Sequence, residues 1–181
     1  MDLGDAVTAL VGVVTLINLV LAVGIVRRLR EHSTRLSRLT SPFGEGTPTM
    51  LPPGQAPGPF SATTIDGETV SLDAVADGAL VAFLAADCRP CQEETPAFVD
   101  RAAAMPGGRS RVLVVVAGAS HRDEYVARLS PFARVVMEPD GGPVTAAFAV
   151  RSYPSFAQVG HDGIVTATGH RVADLPAPAL T

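Results

Sequence analysis

The chain has 181 residues, a formal net charge of -4 and a pI near 5.5, which leaves no basic face to neutralise phosphates and argues against nucleic-acid partners. With 47% hydrophobic residues, 5% aromatic and no Trp, it can build one compact domain with appendages, while two domains would be a squeeze. Its only two cysteines, Cys88 and Cys91, would close too short a loop to stabilise a fold by cross-linking.

From the N-terminus, Ala6 through Val26 carries no charge and is long enough to span a bilayer as a helix. Acids (Asp2, Asp5) precede it, and Arg27-Arg28-Leu29-Arg30 stands where a cleaved leader would have small residues, so the reading is a retained anchor. The basic stretch continues to Leu39, with Ile25, Leu29, His32, Leu36 and Leu39 at helical spacing, which makes residues 1–39 an anchor with a short juxtamembrane helix. Five arginines (Arg27, Arg28, Arg30, Arg35, Arg38) follow the span and only acids precede it. By the positive-inside rule they favour a cytoplasmic domain, although anionic headgroups on either leaflet could also hold them.

Residues 40–59 are dense in Pro and Gly and read as a linker that holds the domain off the bilayer and adds nothing to its core. A fragment beginning near Leu51 is therefore expected to fold alone. The folded domain is expected over 60–169. Phe60-Ser61-Ala62-Thr63 and Thr69-Val70-Ser71-Leu72 flank Asp66-Gly67 as a β-hairpin, and a helical turn over 73–76 leads to the apolar run 79–85, a strand covered on both faces. A helix after the cysteines runs to about Ala104, interrupted by Pro96, and Gln92-Glu93-Glu94 would place acids in its first turn. Strand 111–117, helix 123–129, strand 134–137 and a short helix 143–150 that starts with Pro follow. Strands 155–159 and 164–168 close an antiparallel hairpin across Gly160-His161-Asp162-Gly163. Alternating strands and helices predict an α/β fold with a parallel core. Residues 170–181 are a tail too short for a full last helix.

Cys88-Arg89-Pro90-Cys91 sits where the strand pattern gives way to the helical one. Cys88 at the helix start would have its thiolate stabilised by unpaired N–H groups and the helix dipole, and a thiolate is the nucleophile of disulfide exchange. Cys91, one turn on and more buried, would resolve the mixed disulfide. Arg89 would favour the thiolate and Asp87 oppose it, while Pro90 restricts Arg89 and starts the helix without wasting a donor.

Cys88-Arg89-Pro90-Cys91-Gln92-Glu93-Glu94-Thr95-Pro96 is similar to the C-x-P-C-x-x-E-x-P signature of membrane-anchored TlpA-type thiol-disulfide oxidoreductases, and the anchor and tether resemble MauD-type maturation proteins. The resemblance covers about residues 60–168 and implies a thioredoxin-like fold, catalytic Cys88 and Cys91, and no cofactor. It implies that Pro154 is a cis-proline opposite the cysteines, with Tyr153 exposing its backbone to dock an extended substrate. The implied partners are protein thiols or disulfides, the membrane and an integral-membrane redox protein. The implied place is the extracytoplasmic side of the cell membrane, against the vote of the arginines. The chain departs from the family in carrying Ala86 where Trp is common and in having no acid in the strand 79–85, which leaves water or Asp87 as proton acceptor for Cys91.

Two rival functions share the fold. A copper-binding metallochaperone module would use both thiolates, but no Met or His stands near them in sequence, and His32, His121, His161 and His170 are too dispersed to suggest a metal site and read as surface residues. A peroxide-reducing redoxin would need Thr or Pro shortly before Cys88, and neither is there.

Overall fold

In a computed structural model of the chain, the described residues are 48–75, 78–118 and 122–177, together with Thr15. Two β-strands, β1 (Ser61–Thr63) and β2 (Thr69–Ser71), form an antiparallel hairpin, turned at Gly67 with φ 82°. A one-turn helix α1 (Leu72–Val75) follows, then β3 (Leu80–Ala85), α2 (Arg89–Ala103), β4 (Val112–Ala117), α3 (Arg122–Leu129), β5 (Arg134–Glu138), α4 (Pro143–Ala147), β6 (Ser155–Val159) and β7 (Val165–Gly169). The main sheet has the order β5-β4-β3-β6-β7. Strands β3, β4 and β5 are parallel, and β6 and β7 are antiparallel additions to the other side of β3.

β3 and β4 lie at the centre because their sequences are apolar on both faces. Alternate residues point to opposite sides of a strand, so Leu80, Ala82, Leu84, Val112, Val114 and Val116 meet Phe98 and Ala102 of α2 and Leu129 of α3. Val81, Phe83, Leu113 and Val115 face Val144, Phe148 and the hairpin residue Val70. Phe98 stacks on Phe156 with centroids 6.0 Å apart on the first face, and Phe83 tilts against Phe148 at 5.2 Å on the second. Truncating any such ring to Ala costs about 3–5 kcal/mol.

The register sets one end of the sheet apart. Ala85 lies beside Ala117, and Ala117 beside Glu138, so β3, β4 and β5 finish together. Because Ser155 pairs with Phe83, the loop that enters β6 lies at this same end. Crevices outside the carboxyl ends of parallel strands are where open α/β sheets place their sites.

The structure corrects several expected boundaries. Residues 48–59, the described part of the expected linker, are laid along the domain, and the compact unit begins at Pro48. Met50 is 4% exposed. Leu51 N donates to Phe148 O, Gly58 N to Ala147 O and Gly54 N to Val165 O, while Val165 N donates to Gln55 O. Pro and Gly exclude helix and central strand but not this use, because an extended segment can satisfy a sheet edge with its remaining amides and so block pairing with another chain. The short helix α4 ends at Ala147, before the expected 150. Its last carbonyls are closed by Ala149 N to Ala146 O and Val150 N to Thr145 O, with Ala149 in the left-handed region at φ 49°, the pattern of a Schellman terminus. In place of a last helix there is a single 3-10 turn at Val172–Asp174, yet the tail is part of the fold, since Val172 and Leu175 join the core against α2.

Apart from Thr15, the expected span 6–26 lies outside the described residues, as do the juxtamembrane helix, His32 and His121. Among the described residues no helix is long and apolar enough to cross a membrane.

If residues 48–59 belong to the domain, Met50→Ala should lower the unfolding free energy by about 2–3 kcal/mol. Urea denaturation measures this, and an unchanged midpoint would mean that the segment is a tether after all.

Candidate active site

The turn after β3 is fixed at both ends. Ala86 N donates to Ala117 O at 3.3 Å and Cys88 N to Ala85 O at 3.2 Å. Cys88 is the N-cap of α2, with φ -95° and ψ 109°, and its Sγ accepts the Cys91 N–H at 3.2 Å. This is the place where Ser or Asp oxygen usually caps a helix; a sulfur there faces a donor that favours its anionic form. Cys91 is fully buried in the same core cluster as Ala86 and Phe98, whereas Cys88 is only partly covered at its edge. The two sulfurs are joined in a disulfide, with Cα atoms 5.2 Å apart.

The first turn of α2 contains no acid. The helix begins one turn earlier than the acidic run suggests, because Cys88 caps it and Pro90 occupies its first turn without needing an N–H partner. Glu93 therefore lies in the second turn and pairs with Arg89 at 2.9 Å, both side chains being largely exposed at 88% and 63%. Arg89 is directed to solvent and partly neutralised, so its field at Cys88 is screened. Asp87 is exposed as well. Glu94 turns the other way and accepts the Val172 N–H at 3.1 Å, which ties the tail to α2.

Beneath Cys91, Thr95 Oγ1 donates to the Cys91 carbonyl at 2.7 Å and lies 3.0 Å from the Tyr125 hydroxyl of α3. Since Thr95 spends its hydrogen on Cys91, Tyr125 is the donor to Thr95. Burial pushes the Tyr125 phenol up, and the Thr95 bond and the nearby Arg128 offset part of this.

Opposite the disulfide lies the loop before β6. The Tyr153–Pro154 peptide is cis, and the Tyr153 carbonyl oxygen lies 3.8 Å from Cys88 Sγ. The structure thus brings Cys88, Cys91, Tyr153 and Pro154 together, with Arg89, Pro90 and Asp87 on the exposed side of the same turn. The Tyr153 ring is half-buried, and its hydroxyl interacts with Thr145 and Asp140. Its phenol is pushed up by burial first, against the lowering effect of Thr145, and then by the negative charges of Asp140 and Glu138. Glu138, 4% exposed at the end of β5, accepts Val144 N at 3.1 Å, Thr145 N at 2.7 Å and the Thr145 hydroxyl. A Cβ on Gly142 would fall 2.6 Å from the Glu138 carboxyl carbon, so only glycine lets the chain pass.

Thr95, Tyr125, Glu138 and Thr145 were not singled out from sequence. Thr95 could have been, since it lies inside the cysteine signature. The others reach the site only through tertiary packing. Among the described residues no group of three or more His, Cys, Asp or Glu is placed to hold a metal ion.

A mixed sheet with a cysteine pair at the start of α2 and a cis-proline facing it is a thioredoxin-like fold, and solved structures share it. A thiol:disulfide interchange protein from a Bacteroides species is 21% identical with TM-score 0.53, covering 68% of this chain and 85% of its own. A DsbE-type interchange protein described as putative, from Chlorobium tepidum, is 22% identical with TM-score 0.51, covering 68% and 90%. A secreted disulfide oxidoreductase of Mycobacterium tuberculosis, homologous to DsbE of E. coli, is 23% identical with TM-score 0.51, covering 67% and 87%. Within this fold the chain belongs to the AhpC/TSA family, whose profile matches residues 53–168. No curated protein matches it significantly.

Tyr125 and Tyr153 are the chain's only tyrosines and there is no Trp, so phenolate absorbance reports on these two alone. Both should titrate above the ordinary value of about 10. Because the folded state holds these protons more tightly, their contribution to stability is complete below about pH 10 and is lost as pH rises through the folded values. Titration at the ordinary value would show that neither phenol is held as described.

Proposed function

We propose that the protein is a thiol-disulfide oxidoreductase acting on protein thiols and disulfides, with Cys88 as the attacking thiol and Cys91 as the resolving one. The observation that carries this is the unequal placement of two bonded sulfurs, one capping α2 at the surface and one buried a turn behind it. In the reducing direction the Cys88 thiolate attacks one sulfur of a substrate disulfide. A mixed disulfide forms, and the other substrate sulfur leaves as a thiolate that takes a proton from water. The Cys91 thiolate then attacks Cys88 Sγ, which closes the Cys88–Cys91 bond and releases the second substrate thiol. Two electrons pass to the substrate, and the reverse sequence oxidises a dithiol. The carbonyl of Tyr153 beside Cys88 offers a backbone acceptor to an extended substrate segment, in the manner of strand addition.

The fold, the C-x-P-C-x-x-E-x-P signature and the uncharged stretch 6–26 support a TlpA- or MauD-like arrangement. In that reading the N-terminal helix anchors the protein in the cell membrane, the domain works on the extracytoplasmic side in maturing another protein, and an integral-membrane redox protein resets the cysteine pair.

Cys91→Ser should accumulate mixed disulfides with protein substrates, and Cys88→Ser should accumulate none. Equal trapping by both, or by neither, would overturn the assignment of roles. Peroxide consumption by the reduced chain without mixed disulfides would favour a peroxide-reducing redoxin instead. In the Cys91→Ser variant, a membrane-impermeant maleimide should label Cys88 in intact cells, whereas labelling only after lysis would place the domain in the cytoplasm, as the arginines argue. Because Arg89 is exposed and paired with Glu93, Arg89→Glu should lower the reduction potential by no more than about 30 mV, the equivalent of ~1.4 kcal/mol for two electrons.

A further inference from the structure

We propose that His170 and Thr49 form a clamp that positions the substrate-docking loop beside Cys88. His170 Nδ1 lies 2.9 Å from Pro154 O, and Nε2 lies 2.8 Å from Thr49 Oγ1. A carbonyl oxygen can only accept, so Nδ1 carries a hydrogen and donates it to Pro154, and in the neutral ring Nε2 accepts the Thr49 hydroxyl hydrogen. Thr49 also holds the other end of the same loop, because its carbonyl accepts the Arg151 N–H at 2.8 Å. One threonine therefore grips both ends of the four residues Arg151 to Pro154, directly at Arg151 and through the imidazole at Pro154.

Three further features make the clamp firm. Gly169, at the end of β7, lies so close to Asp174 that a Cβ would fall 2.5 Å from the Asp174 Cβ. Asp174 accepts the Arg171 N–H at 2.9 Å, and these contacts fix the backbone on either side of His170. Inside the loop, Ser155 Oγ donates to Ser152 O at 2.8 Å. The clamped segment carries the Tyr153 carbonyl, 3.8 Å from Cys88 Sγ. His170 and Thr49 touch neither sulfur and are positioning residues. Their effect falls on substrates long enough to lie along the loop and not on the reactivity of the cysteines. The clamp also joins the start of the domain to its active site, across 121 residues of sequence.

The inference rests on the oxidoreductase reading above, and the test separates the two. The full chain and its variants are assayed for reduction of insulin, a protein disulfide, and of hydroxyethyl disulfide, a small one that reacts slowly with free thiols, with dithiothreitol as electron donor. His170→Ala and Thr49→Val should each raise KM for insulin roughly 3- to 10-fold, the scale of one lost hydrogen bond, with kcat and the rate on the small disulfide unchanged. His170→Asn, whose amide can replace the Nδ1 donor to Pro154, should recover most of the loss. Equal slowing on both disulfides, or an insulin KM within twofold of the parent in His170→Ala, would overturn the clamp. If the parent chain reduces neither disulfide, the oxidoreductase reading fails, and hydrogen exchange at the Arg151 amide still reads the clamp. Exchange should quicken in His170→Ala and Thr49→Val, and unchanged protection would overturn it.

Discussion

The arrangement depends on one capping interaction, the Cys91 N–H directed at Cys88 Sγ across the first turn of α2. A cap works only if the strand before it and the helix after it are both held, since a shift of either by a fraction of an ångström removes the bond. β3 is held by neighbours on both edges and apolar layers on both faces, and α2 is held by Phe98 and Ala102 sunk into one of those layers. The unequal exposure of the sulfurs follows from the same geometry. A capping residue stands outside the helix, and the residue three positions on is turned back under it.

The loop opposite has no regular structure, and ordering such backbone costs about 1–2 kcal/mol per residue against about 0.5–1.5 kcal/mol returned by a typical hydrogen bond. A single tie would not hold it. It is tied instead from three directions, by the Glu138–Thr145 pair that meets Tyr153, by Thr49 at Arg151 and by His170 at Pro154. Each tie comes from a different part of the chain, so the loop is a property of the assembled domain and of no local segment.

Much of the fold was legible because its signals are local. The apolar runs of β3 and β4, Asp66-Gly67, the spacing of Cys88 and Cys91 and the closing hairpin each carry their meaning within a few residues. Tyr153-Pro154 could be placed opposite the cysteines only through the family resemblance. What misled was composition read without its partner. Pro and Gly in 48–59 suggest a tether only as long as the edge of β7, which comes more than 100 residues later, is out of view. The acids at 93 and 94 suggested a first turn, but the cap and Pro90 set the helix start, and the acids then found other work with Arg89 and Val172. His170 read as a surface residue, and it is exposed. Nothing in the sequence marks that both of its nitrogens are engaged.

The chain's two tyrosines are each linked to one of its two cysteines, in both cases through a backbone carbonyl. Tyr125 reaches Cys91 through the Thr95 hydroxyl, and Tyr153 presents its own carbonyl to Cys88. No tryptophan is present to mask tyrosine emission. Tyrosine absorbance and emission therefore read the surroundings of the cysteine pair, from the Cys91 side through Thr95 and from the Cys88 side through the Tyr153 backbone, without a label or a mutation.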